Sequence, residues 1–223
     1  MTDLEHKVKS KSTGTTTVAI RARDAVVLAA DQKATEGYLV AGKAVKKIFK
    51  VSDRIAVTIA CSVGDAGVLV RFLQATAKTH LLEYGEEMDT EQLATFLSTV
   101  LNNSRFYPYF VQLILGGYVK QPKLVDMDMV GGTTEPQDFT SSGSGSVFAY
   151  GVLEDNYHHD ISRDEAVYLA VRAVRAARER DIASGGAGIT VVVISKDGFQ
   201  ELREEEVNSY LEKFKAERAK KSK

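Results

Sequence analysis

The chain has 223 residues, 44% of them hydrophobic and 26% charged, with a net charge of −1. That balance suits a soluble globular core and supplies no basic field of the kind that binds nucleic acid. One cysteine, Cys61, leaves no internal disulfide, no apolar run reaches the ~18 residues of a membrane span, and MTDLEHKVKSKSTG lacks a signal-peptide centre, so a cytoplasmic protein is expected.

Strand signals come first. TTVAIRA and AVVLAAD flank Arg23-Asp24 and read as a hairpin. VKKIFKVSD and RIAVTIA form a second pair around Ser52-Asp53-Arg54. The period then becomes helical. Ser62-Val63-Gly64-Asp65 resembles a capping box, with Asp in place of Glu, opening a helix through about Tyr84. Leu69, Phe72, Leu73 and Ala77 form its expected apolar stripe. Asp89 or Thr90 opens a second helix, with Leu93, Phe96, Leu97, Val100 and Leu101 on one face and Pro108 as its stop. YFVQLILGGY and KLVDMDM read as strands, and the Gly-, Ser- and Thr-rich segment 131–146 as turns. SVFAYGVLEDNY reads as a short helix, and Ser162-Arg163-Asp164-Glu165 is a capping box for a long one through about Arg180. AGITVVVIS is a buried strand, Lys196-Asp197-Gly198 a turn, and the charged tail an amphipathic helix. Hairpins imply antiparallel sheets, and helices arriving in pairs imply layers over sheet faces rather than βαβ units. Two stacked sheets with helices outside would explain why AVVLAA and ITVVVI are continuously apolar.

The run Gly14-Thr15-Thr16-Thr17 has two readings. It is a polar strand start, or Gly14–Thr15 is a bond to be cut. An N-terminal threonine carries its own base, because a free α-amino group titrates at about 7.7–8.0. That chemistry requires loss of residues 1–14 as a removable leader, leaving 15–223. Gly132-Thr133-Thr134 is a second Gly-Thr pair, but a cut there would sever the domain. A nearby cation would keep the amine neutral and stabilise negative charge at oxygen. VKKIFK offers Lys46, Lys47 and Lys50; of the first two, only one can face inward on a strand. A buried lysine needs an acid, and Asp31 closes a neighbouring strand. The adjacent His158-His159 pair lacks ligands at metal-site spacing and reads as a solvated turn.

GTTTVAI, VVLAADQKAT, KKIFKV, TIACSVGDAGVLVR, SSGSGSVFAYGVLE and RERDIASGG, in that order, resemble the proteasome β subunits of archaea. Each motif is weak alone; GSGS is usually a flexible loop and DIASGG a helix stop. The resemblance runs from Thr15 to about Ser195. It implies an α+β, four-layer αββα sandwich of two antiparallel sheets flanked by helices, the N-terminal-nucleophile hydrolase fold. It implies a threonine endopeptidase inside stacked seven-membered rings, without a cofactor. Its expected partners are an α-subunit ring, other β subunits, unfolded protein substrates and an ATP-driven unfoldase acting through the α ring. Carried over by motif, Thr15 is the nucleophile, Lys47 the buried cation and Asp31 its partner. Ser144, Asp181 and Ser184 orient the terminal amine and a water. The backbone N–H of Cys61 is the oxyanion donor. Ala34, Val45, Ile59, Cys61 and Val63 line the pocket for the residue before the cut, which predicts cleavage after hydrophobic residues. Two positions depart from the family pattern. Cys61 stands where glycine is usual, which would be strained if that backbone has positive φ. Lys33 stands where arginine is common, keeping the charge without the planar fork. The Cys61 departure motivates an alternative, a non-catalytic or weakly active structural β subunit supporting a more active sister chain. A third possibility is a small-molecule amidohydrolase of the same nucleophile type.

Overall fold

The computed structural model describes residues 14–221, with side chains described up to residue 212. The expected leader therefore lies outside the described residues except for Gly14.

Two five-stranded antiparallel sheets stack face to face. The first has the order β10-β1-β2-β11-β12, built from Phe139–Ser142, Thr17–Arg21, Ala25–Asp31, Ile189–Ser195 and Gly198–Glu201. The second has the order β5-β6-β7-β8-β9, built from Ile48–Lys50, Ile55–Cys61, Val111–Tyr118, Pro122–Met127 and Thr133–Thr134. A small hairpin, β3 (Ala34–Glu36) with β4 (Leu39–Gly42), stands apart from both. Helices α1 (Val63–Tyr84) and α2 (Thr90–Asn103) cover the second sheet. Helices α3 (Ser146–Asn156), α4 (Arg163–Arg180) and α5 (Glu204–Lys221) cover the first. This is the expected four-layer αββα sandwich.

Strand β2 shows why the sequence gives this stack. Its side chains alternate across the sheet. Val26, Leu28 and Ala30 enter the layer between the sheets, against Ile48, Ala56, Ile114, Val192 and Ile194. Ala25, Val27 and Ala29 face the helices, against Ala166, Ala170 and Val174 of α4. Both faces are dry, so the strand has no polar face to show. Among the described residues, no helix is long and apolar enough to cross a membrane.

Several local expectations are corrected. Phe72 is 45% exposed; Ala66, Leu69, Val70, Leu73 and Ala77 form the buried side of α1. Ser62 caps α1 by accepting from the Asp65 N–H, but the Asp65 carboxylate accepts from the Phe110 N–H at 3.0 Å, where a capping-box Glu would turn back to its own cap. Asp89 is the cap of α2, in a full capping box with Gln92. That helix ends at Asn103, ahead of Pro108. The 131–146 segment is not all turn: Phe139–Ser142 pairs with β1 and forms an edge of the first sheet.

Candidate active site

Thr15 sits two residues ahead of β1 and is 2% exposed. Its hydroxyl donates to the Gly14 carbonyl oxygen at 2.8 Å, and its N–H donates to Ser144 Oγ at 3.2 Å. Lys47, just ahead of β5, is 4% exposed, whereas Lys46 points outward to Glu201. One lysine faces in and the other out, as expected, but both precede β5 and so do not lie on the strand that the sequence reading gave them. Lys47 Nζ donates to Asp31 Oδ1 at 2.7 Å and lies 3.5 Å from the Gly14 carbonyl oxygen.

Asp31, at the end of β2, is completely buried. It survives there because every side of the carboxylate is met. The N–H groups of Thr16, Lys33 and Gly185 donate to it at 2.9, 3.1 and 2.8 Å, in addition to Lys47. Burial pushes the Lys47 pKa down from the ordinary lysine range, against the opposing pull of Asp31. Desolvation favours the neutral amine, as for other buried lysines.

A second cluster meets Thr15 through Ser144. Asp181 caps the C-terminus of α4. Its Oδ2 accepts from Ser144 Oγ at 2.7 Å and Ser184 Oγ at 2.6 Å. Ser184 Oγ is also 2.6 Å from Thr16 Oγ1. The GSGS run is thus no free loop. The Gly145 N–H donates to the Thr15 carbonyl oxygen at 3.2 Å. Gly143 has φ +89°, and a Cβ there would overlap that same carbonyl oxygen. Only glycine fits, for both reasons.

Cys61, the last residue of β6, has φ +79°. Left-handed backbone is uncommon for any residue but glycine, so the strain foreseen for a cysteine here is present. The residue is partly buried and not disulfide-bonded, and burial pushes its thiol pKa up. Such a thiol is a poor nucleophile.

The five pocket residues are less uniform. Ala34 is buried, Val45 half-buried, and both flank Gly42. Ile59 is 4% exposed, its side chain in the core between the second sheet and its helices, and its N–H donates to the Lys47 carbonyl. Val63 opens α1 and is 46% exposed. Lys33 Nζ donates to the Ile182 carbonyl at 2.8 Å, a single bond a lysine supplies without a guanidinium fork.

Two residues missed in the sequence stand at the site. Thr35 Oγ1 accepts from the Gly14 N–H at 3.0 Å, and Ala183 lies against Gly14. Thr35 ends the motif VVLAADQKAT and Ala183 lies within RERDIASGG, but neither residue type points to a role by itself.

Proteasome subunit is the family whose model matches residues 11–194. Proteasome subunit beta 2 of Thermococcus onnurineus is 47% identical over 194 residues, 87% of this chain and 96% of that protein. Proteasome subunit beta 1 of Pyrococcus furiosus is 47% identical over 191 residues, 86% and 97% of the two chains. Proteasome subunit beta of Methanocaldococcus jannaschii is 46% identical over 211 residues, 94% of each. With that coverage added to the sandwich and to the residues gathered around Thr15, the chain belongs to the proteasome subunit family.

Proposed function

We propose that the chain is a self-processing threonine endopeptidase of the proteasome core, cleaving unfolded proteins with a preference after hydrophobic residues. One observation carries this: a buried lysine, paired with a buried aspartate, faces the carbonyl of the bond beside the Thr15 hydroxyl.

In the first reaction Thr15 Oγ attacks the Gly14 carbonyl carbon. The oxygen becomes an oxyanion near Lys47 Nζ, whose cationic form stabilises it. The hydroxyl proton leaves Oγ and is delivered to the Thr15 nitrogen as the C–N bond breaks, giving an ester. Water hydrolyses that ester, releasing residues 1–14 with a Gly14 carboxylate and freeing the Thr15 hydroxyl and amine. In the second reaction the amine, through a water, accepts the hydroxyl proton while Oγ attacks a substrate carbonyl. The acyl-enzyme forms, the amine product leaves with the proton, and water completes the cycle. Ser144, Asp181 and Ser184 hold the terminal nitrogen and the water; the Thr15–Ser144 contact supports this role. The Cys61 N–H is the proposed donor to the substrate oxyanion, and Ala34, Val45, Ile59, Cys61 and Val63 shape the pocket. The working context is the cytoplasm, in a ring with other β subunits, beneath an α ring fed by an ATP-driven unfoldase.

A structural β subunit is the alternative, favoured by the positive φ of Cys61. Hydrolysis of an unfolded protein separates the two. The assembled wild type degrades it and Thr15→Ala does not; equal, negligible turnover by both identifies a structural subunit. Turnover of small amides alone would instead favour an amidohydrolase.

A further inference from the structure

The leader residue Gly14 is gripped at both of its peptide groups. Its carbonyl oxygen receives the Thr15 hydroxyl and faces Lys47. Its N–H donates to Thr35 Oγ1 at 3.0 Å. Thr35 is 6% exposed and belongs to β3, where the pairing with β4 shifts register between Ala34 and Thr35. Such irregularities re-aim a side chain. Here the buried hydroxyl meets a residue that, in the proposed chemistry, exists only until the leader is cut.

The space beside Gly14 is closed. A Cβ at this position would overlap the Ala183 methyl, approach the Ala183 Cα at 2.9 Å and lie 3.0 Å from Ser144 Oγ. The Ala183 N–H donates to Asp181 Oδ1 at 3.2 Å, which ties this methyl to the Ser144–Asp181–Ser184 cluster. Ala183 cannot retreat without disturbing the groups that hold the Thr15 nitrogen.

We infer that Thr35 is a positioning residue for leader removal and that Ala183 enforces glycine immediately before the nucleophile. The inference rests on the self-processing proposed above. Thr35 fixes the rotation of the Gly14 peptide, so that the scissile carbonyl is presented to Thr15 Oγ and Lys47 together. Ala183 rejects side chains that would turn the carbonyl away. Precursor cleavage and substrate cleavage then differ in what selects them: small size and a held N–H for the leader, an apolar pocket for substrates.

The test follows leader loss by intact mass in the assembled full-length protein after synthesis. Thr35→Val removes the hydroxyl at nearly constant shape and leaves the Gly14 N–H without its partner. Leader loss slows about tenfold, the scale of one buried hydrogen bond. Thr35→Ser restores the hydroxyl and stays within about threefold of wild type, which a merely space-filling role would not produce. Gly14→Ala retains the leader, and adding Ala183→Gly recovers removal in part, because the 2.9 Å approach to the main chain remains. Wild-type rates in Thr35→Val, a Ser variant no faster than Val, or a double variant no faster than Gly14→Ala each overturn the assignment. A wild type that keeps its leader overturns self-processing itself, and the assignment with it.

Discussion

Replacing Lys47 by methionine isolates the ion pair at the heart of the site. The side chains are of similar length, so the volume is kept and the charge is lost. Asp31 is then a fully buried carboxylate without its cation. Breaking one partner of a buried pair costs about 3–5 kcal/mol. Three backbone N–H donors still hold Asp31, from Thr16, Lys33 and Gly185. They place the expected loss near the lower end, about 3 kcal/mol. For a chain of this size that is a fall in Tm of about 6–12 °C. The comparison is made in a Thr15→Ala background, so that both proteins carry the same leader, at one protein concentration. Urea denaturation gives the stability difference, and intact mass of Lys47→Met with Thr15 restored gives leader retention. A stability loss below about 1 kcal/mol would refute the view that Asp31 depends on Lys47.

Cys61→Gly removes a left-handed cysteine that costs about 1–2 kcal/mol, against about 0.5–1 kcal/mol for the freedom glycine loses on folding. Urea midpoints should therefore move little while peptide turnover rises; unchanged turnover would show that Cys61 does not limit activity. Gly143→Ala drives a methyl into the Thr15 carbonyl oxygen, so leader loss stops, and processing at the wild-type rate would contradict the geometry. Asp126 gives a pH test. Burial raises its pKa despite the bond from Thr140, so its contribution to stability is fully present below the unfolded value of 3.8 and lost as pH rises through the folded value. Asp126→Asn should raise the urea midpoint at pH 7 and converge on wild type under acid conditions; a benefit that grows as pH falls would reverse the sign.

The layered architecture was legible wherever apolar patterning was long. β2 and β11 announce a strand buried on both faces, and the Ser162 capping box places the start of α4. The short strands were not legible. Ala34–Glu36, Leu39–Gly42 and Phe139–Ser142 are polar or brief, and only their partners make them strands. At the site, the closeness of Thr15, Lys47 and Asp31 could be anticipated from chemistry and motif order, because the proposed nucleophile, a buried cation and its acid are residue types with a stated need for one another. Thr35 and Ala183 had no such need written in the sequence. Their relevance comes from closeness in space to Gly14, across 21 residues for Thr35. Phe72 shows the opposite failure: helical spacing marked it as core, yet the sheet beneath α1 is covered by Leu69, Val70 and Leu73.

The central claim is that one residue supplies both hydroxyl and base once the chain before it is gone. The most direct measurement is the N-terminal residue of the assembled protein, determined by mass alongside peptidase rate as processing proceeds. Activity should rise in proportion to chains beginning at Thr15. Full activity in chains that still carry Gly14 would contradict the account.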